Sequence, residues 1–387
     1  MSCKDGIIGI IVGDALGVPF EFKPRKYFEK EPVTDLEGYG IHNQPVGTWS
    51  DDGSLTLATL DSLTQGLDYE HMMNNFLYWY SDCEFTATDT VFDIGIGTRN
   101  ALLKFSNGET ALRCGGIGSH DNGNGSLMRI LPAAYYIKNL NLSMEEWIPI
   151  VHNISSLTHR HPRSHIACGI YVNIALKMLN NPGYKIKDVI KSGIMEITEY
   201  YNNDETYKEE FNQHFKRIIN NEIYTVNVDE IISSGYVLAT LEASLWCLTN
   251  TKSYKEAVLK AVNLGHDTDT TAAVVGGLAG IYYGYGNIPT EWIEKIQKID
   301  YILKICKKFD ERWKKMKFEE LIAKCPECGC TDKVIKRRLI DNHRAHAELK
   351  SIACEKCGYI FDDGEGEEPE EIQEKHKIVN NLNQKIL

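Results

Sequence analysis

Two short stretches of this chain carry more oxygen than a helix end needs. Asp267-Thr268-Asp269-Thr270 opens an uncharged run that reaches Thr290, and Ser50-Asp51-Asp52 precedes residues from Ser54 whose apolar positions fall at helical spacing. Ser, Thr and Asp at such places read as N-terminal caps, because their oxygens accept the unpaired N–H groups of the first turn. One acceptor serves a cap, yet each stretch offers two carboxylates and at least one hydroxyl. Four carboxylates brought to one pocket repel strongly unless cations lie between them. Oxygen sets of this kind suit a hard cation such as magnesium, and two divalent ions would balance the charge.

The elements that must position these groups are glycine-striped. Gly276, Gly280 and Gly284 recur four apart after the second stretch, so one helical face is nearly bare and a partner helix can approach it closely. Gly9, Gly13 and Gly17 repeat that spacing in residues 6–17, a buried helix with Asp14 inside it, Pro19 ending it and Glu21 just beyond. The 21-residue uncharged run from Thr270 meets the length of a membrane span. Its five glycines, one proline and few large aliphatic residues fit a buried core helix instead.

Residues 24–49 read as loop, and residues 69–105 as helix with a core stripe of Phe76, Tyr78, Trp79 and Tyr80. The segment 114–126 is too glycine-rich for helix or strand, and a loop of that composition exposes N–H groups that can cradle phosphate. A helix resumes over Met128–Ala134, with Arg129 near its start. Another runs to Leu176 behind the basic cluster His159, Arg160, His161 and Arg163. Residues 181–230 show no clear site, and 234–248 and 254–264 read as two helices. Sustained period-two alternation is nearly absent and no fixed-length repeat exists, so residues 1–320 are expected to form one helical domain.

Net charge is −12, which argues against a general nucleic-acid binder and leaves only local contacts of that kind. Scattered cysteines without an export signal point to reduced thiols in a cytoplasm, and no membrane contact is expected. Cys325-Pro-Glu-Cys328-Gly and Cys354-Glu-Lys-Cys357-Gly are paired knuckles with 25 residues between, the spacing of one structural zinc held by four thiolates. Residues 321–364 thus read as a small β-rich zinc ribbon, with Cys330 to spare. Lys333, Lys336, Arg337, Arg338 and Arg344 lie between the knuckles. Residues 365–387 read as an acidic linker and a terminal helix over 371–385, following a run of seven acids from Asp362 to Glu371.

Taken together, residues 6–301 resemble the ADP-ribosylglycohydrolase family. The resemblance is carried by Gly13-Asp14-Ala15-Leu16-Gly17 with Glu21, Ser50-Asp51-Asp52, Gly123-Asn124-Gly125-Ser126-Leu127-Met128-Arg129, Leu157-Thr158-His159, Gly235-Tyr236-Val237 with Leu241-Glu242-Ala243, and Asp267-Thr268-Asp269-Thr270 with Ala272-Ala273. It implies an all-α, compact orthogonal helical domain holding two magnesium or manganese ions, with the ribbon outside the match. It implies Ser50, Asp51, Asp52, Asp267, Asp269 and Thr270 as metal ligands, and Glu21, Asp52 and Asp269 as catalytic residues. Gly118, Ser119, Gly123, Asn124, Gly125, Ser126, Met128 and His159 would bind ADP-ribose. The family has threonine where Ser50 stands and again directly after the second aspartate, where this chain has Gly53.

The reaction implied is hydrolysis of the bond joining the anomeric carbon of ribose to an acceptor, releasing ADP-ribose and reversing ADP-ribosylation. A protein side chain is the expected acceptor, with nucleic acid the alternative; arginine, serine and nucleotide linkages all fit the same core, and the oligomeric state is not readable. A non-catalytic ADP-ribose binder and a helical metal phosphohydrolase are the competing readings. The intact carboxylates argue against the first and the scarcity of ordered histidine ligands against the second.

Overall fold

Bare glycine faces set the central packing. In the computed structural model, which describes residues 2–315, 324–330, 333–339, 347–354 and 356–362, helix α1 (Lys4–Gly17) lies against a late helix over Thr268–Tyr283. A side chain at Gly9 would begin 2.2 Å from the Gly276 carbonyl oxygen, one at Gly13 2.2 Å from that of Ala272, and one at Gly17 2.3 Å from the Asp269 backbone. Only glycine permits such backbone approach. Thr268 Oγ1 donates to the Gly17 carbonyl (2.8 Å), so the end of α1 is tied to the start of its partner. Gly284 falls outside this face: it ends the late helix with a positive φ and open space around it.

Further helices complete the body. They include α2 (Asp51–Gln65), α3 (Tyr69–Asp82), α4 (Ile96–Ser106), α5 (Leu131–Leu140), α6 (Met144–Ser156), α7 (Pro162–Asn180), α8 (Ile186–Asn203), α9 (Lys208–His214), α10 (Val237–Thr249), α11 (Tyr254–Val262), the late helix itself, α12 (Thr268–Tyr283), and α13 (Ile299–Lys315). Residues 114–126 form no helix or strand. No described helix is long and apolar enough to cross a membrane.

Three boundaries differ from the sequence reading. Residues 69–105 are two helices, α3 and α4, separated by the irregular segment 83–95; Cys83 caps α3 in the left-handed conformation, and Phe85 and Asp89 also take positive φ. The helix expected from Met128 begins at Leu131, where Pro132 fits the first turn. The helix after the basic cluster begins only at Pro162, capped by the His161 ring.

The chain divides into two compact units, Met1–Leu63 with Asp68–Asp310, and Thr64–Leu67 with Glu311–Leu387. In the second unit, strands β1 (Lys333–Leu339), β2 (Ala347–Cys354) and β3 (Ile360–Asp362) make an antiparallel sheet in that order. Lys333 pairs with Cys354 and Leu339 with Ala347, with a register shift between Lys336 and Arg337. Arg344, the acidic linker and the expected helix over 371–385 lie outside the described residues.

Candidate active site

Asp14 is the organising acid. Buried within α1, it accepts the Ser50 amide through both carboxylate oxygens (3.0 and 2.9 Å) and the Gly53 amide through Oδ2 (2.8 Å). These bonds fix the turn that starts α2 and aim Asp51 and Asp52 inward. Gly53 is explained locally: a side chain there would begin 2.7 Å from Ile11 Cδ1 and 3.0 Å from the Trp49 ring. Ser54, the next hydroxyl, bonds back to the Ser50 carbonyl (2.7 Å) and stays within its own helix turn.

The start of α12 meets that turn directly. Thr270 Oγ1 donates to Asp52 Oδ2 (3.2 Å), and so does Ser50 Oγ (3.3 Å). Asp267 is held by Asn124 Nδ2 (2.8 Å). His266, at positive φ, is clamped by backbone bonds to Lys23 and Phe22. Ligand atoms of Asp14, Asp52 and Asp269 lie within 4.8 Å of one another, as do those of Glu21, Asp267 and Asp269, so Asp269 belongs to both groups. Asp51 lines the cavity but is in neither trio.

Burial raises the affinity of every one of these carboxyls for protons: Asp51, Asp52 and Asp269 strongly, Asp267 less, and Asp14 and Glu21 to about 7. Asp52 Oδ1 and Asp267 Oδ1 are buried and take no hydrogen bond among the described residues. Orphaned acceptors within a cluster of repelling acids fit hard divalent cations.

Above this floor opens a cavity of about 770 Å³. Glu21, Asp51, Asp93, Gly97, Gly123, Asn124, Gly125, Met128, His159, Asp267 and Thr270 line it. The glycine-rich loop is pinned rather than free. Gly115 and Gly116 donate to the Ser156 and Thr158 carbonyls, Asn124 donates to Gly235, and Val237 donates to Asn122. Of the expected ADP-ribose contacts, Gly118 and Ser119 are exposed and do not line the cavity, and Ser126 is fully buried behind it, bonded to Ser155 Oγ (2.9 Å). In the basic cluster, Arg163 pairs with Glu210 (3.0 Å).

Two groups beside the cavity, of which Asp93 lines it, escape the sequence reading. His42 Nε2 sits 2.5 Å from Glu21 Oε2, and Asp93 joins them in a third cluster of potential ligands. The Glu21 hydrogen bond raises His42, while burial raises Asp93. Neither residue stands in a motif. Asp93 lies in the break between α3 and α4, where the clustered poor helix formers Thr86, Thr88, Asp89 and Thr90 were the available signal.

In the second unit, Cys325, Cys328, Cys354 and Cys357 bring their sulfurs within 4.8 Å of one another. Each knuckle closes through its glycine: Gly329 and Gly358, both at positive φ, donate to the Cys325 and Cys354 carbonyls (2.8 and 2.9 Å).

A donor set of this kind, under a pinned loop able to meet phosphate, serves hydrolases that work on hydroxyl-rich substrates with divalent cations. The chain belongs to the ADP-ribosylglycohydrolase family, whose sequence model matches residues 3–318. It is 33% identical over 318 residues to an ADP-ribosylarginine hydrolase, Tri1, of Pseudomonas putida, covering 80% of this chain and 78% of that one. A glycohydrolase of ADP-ribosyl-dinitrogen reductase from Rhodospirillum rubrum is 28% identical, covering 75% of this chain and 88% of its own length. Among solved structures, an ADP-ribosylglycohydrolase-related protein complex superposes with a TM-score of 0.66 at 26% identity, covering 81% of this chain and 98% of that one. The chain is thus a glycosidic-bond hydrolase that frees ADP-ribose from an acceptor.

Proposed function

We propose that this enzyme removes ADP-ribose from arginine side chains of proteins, using two magnesium or manganese ions held by Ser50, Asp51, Asp52, Asp267, Asp269 and Thr270. The observation that carries the reading is the meeting of two acid-bearing helix starts, with buried carboxylate oxygens left unpaired. The arginine linkage rests on the likeness to ADP-ribosylarginine hydrolases of Pseudomonas putida and Serratia proteamaculans. Bound cations would supply Lewis acidity and a template for ribose hydroxyls and water.

The chain's own residues do the rest. Gly123, Asn124, Gly125, Met128 and His159 orient the ADP-ribose. Glu21, its Oε2 bonded to His42, keeps Oε1 to take the proton of the attacking water. The water oxygen bonds to the anomeric carbon as the carbon–nitrogen bond breaks, its electron pair leaving with the guanidine nitrogen, which then takes up the proton from Glu21. Asp52 and Asp269 stabilise the positive charge that develops on the ribose. The test is a panel of proteins and nucleic acids carrying ADP-ribose on arginine, serine or a nucleotide. Release from the arginine substrate alone supports the reading, and release from the others but not from arginine overturns it.

Residues 321–364 form an appended zinc ribbon. Sulfur separations of 3.4 Å (Cys325 to Cys357) and 3.5 Å (Cys328 to Cys354) are far too long for disulfides. They approach the ~3.8 Å edge of a tetrahedron with zinc–sulfur bonds of about 2.3 Å. Metal analysis of the purified protein, expected to give one zinc lost on substituting Cys354, checks this. The ribbon recruits the macromolecular acceptor.

A further inference from the structure

Behind the cavity, the fully buried Arg129 has no carboxylate partner among the described residues. Arg129 Nη2 donates to Thr158 Oγ1 (2.7 Å) and to the Ile154 carbonyl (3.2 Å), and the guanidinium lies 4.5 Å from the Phe76 ring centre. Thr158 Oγ1 in turn lies 2.9 Å from His159 Nδ1, and no other hydrogen bond of that hydroxyl exists among the described residues. His159 faces the cavity, its Nε2 close to where side chains at Gly97 and Gly123 would begin (2.7 and 3.2 Å).

Hydrogen-bond arithmetic then settles the protons. Arginine can only donate, so Thr158 Oγ1 must accept from it. Thr158 is fully buried. Were its oxygen also to accept from His159 Nδ1, the hydroxyl hydrogen would be left without an acceptor, which is costly in a buried site. The arrangement that satisfies the Thr158 hydroxyl has it donating to Nδ1, with the ring's single proton on Nε2.

We propose that Arg129 and Thr158 are positioning residues that lock His159 as the neutral Nε2–H tautomer, aiming a donor into the cavity at an unprotonated phosphate oxygen of ADP-ribose. Burial, assisted by the Arg129 charge, keeps the imidazole neutral by lowering it to about 3. The glycines at 97, 123 and 125 leave the ring its place, since a side chain at Gly125 would begin 2.9 Å from His159 Cε1. The phosphate half of the proposal rests on the ADP-ribose reading above; the tautomer half does not.

The test uses the full-length protein labelled with ¹⁵N-histidine. Long-range ¹H–¹⁵N spectra report which ring nitrogen carries the proton, with the His159 signals assigned by their loss in His159→Asn. Calorimetry gives ADP-ribose affinity. The wild type should show the Nε2–H pattern. Thr158→Val should give mixed tautomers and weaken ADP-ribose about fivefold, the size of one ordinary hydrogen bond, while Thr158→Ser keeps both properties. Thr158→Ala, also without the hydroxyl, serves if the valine melts. An Nδ1–H pattern in the wild type, or unaltered tautomer and affinity in the variants, overturns the relay. Mixed tautomers with unaltered affinity overturn the role of Nε2–H as ligand donor. A wild type that binds no ADP-ribose fails the functional reading, while its ring pattern still decides the tautomer.

Discussion

Glu21 concentrates several influences on one carboxyl. It closes the trio with Asp267 and Asp269 on one side and takes the His42 hydrogen bond on the other, and burial holds it at about 7. Glu21→Gln should lower turnover on the order of a hundredfold, as loss of a general base does, while ADP-ribose affinity by calorimetry changes far less. A loss of binding in proportion to rate would make Glu21 a ground-state contact. Sequence makes the gathering of Asp51, Asp52, Asp267 and Asp269 legible because paired acids exceed what a cap needs. Asp14 shows as the one charged residue of the stretch 6–17. His42 and Asp93 do not show: His42 comes from a short turn at Gly40–His42 and Asp93 from the irregular segment 83–95, and the path of each depends on tertiary contacts.

The helices hold these acids in place, and their glycine faces were readable from four-residue spacing. Gly276→Ala sets a methyl 2.2 Å from the Gly9 carbonyl oxygen, a rigid backbone atom. It should cost about 1–3 kcal/mol, read as a lower melting temperature, with turnover falling as the two helix starts separate. An unchanged melt would contradict the packing account. A second consequence lies between α6 and α7. His152 and His165 stack at 4.9 Å, and burial lowers His152 well below its ordinary value and His165 to about 4. Both are neutral when folded, so their stability is present above the unfolded value near 6.5 and is lost as pH falls towards 4. His165 alone contributes up to about 3 kcal/mol to this slope. Denaturant unfolding from pH 7 to 4 should fall less steeply in His165→Gln than in the wild type. Equal slopes would contradict the assignment. The break between α3 and α4 had a weak signal in its threonines, and the helical residues that flank it on both sides masked it.

Across the whole molecule, catalysis is proposed for the helical unit and recruitment for the cysteine-bearing one. Every catalytic residue named lies before residue 271, and structural zinc sites supply their own folding energy. Deleting residues 321–387 should therefore leave cleavage of a small ADP-ribosylated compound largely intact and weaken action on a protein acceptor. Equal loss on both, or a collapsed melting transition, would make the ribbon a stabilising element instead. The cysteine pairs were plain from spacing alone, whereas the three-stranded sheet has too little period-two alternation to be placed strand by strand from sequence. The central claim is that the acids at the two helix starts form a cation-dependent hydrolytic centre. It is tested most directly by measuring ADP-ribose release from an arginine-ADP-ribosylated protein by wild type and Asp269→Asn, each with magnesium or manganese and after chelation. Release by the wild type should need the cation, and the variant, with one charge removed from both trios, should lose about 3 kcal/mol of transition-state stabilisation, on the order of a hundredfold in rate, while keeping its melting transition. Undiminished release by Asp269→Asn, or by chelated wild type, would contradict the account.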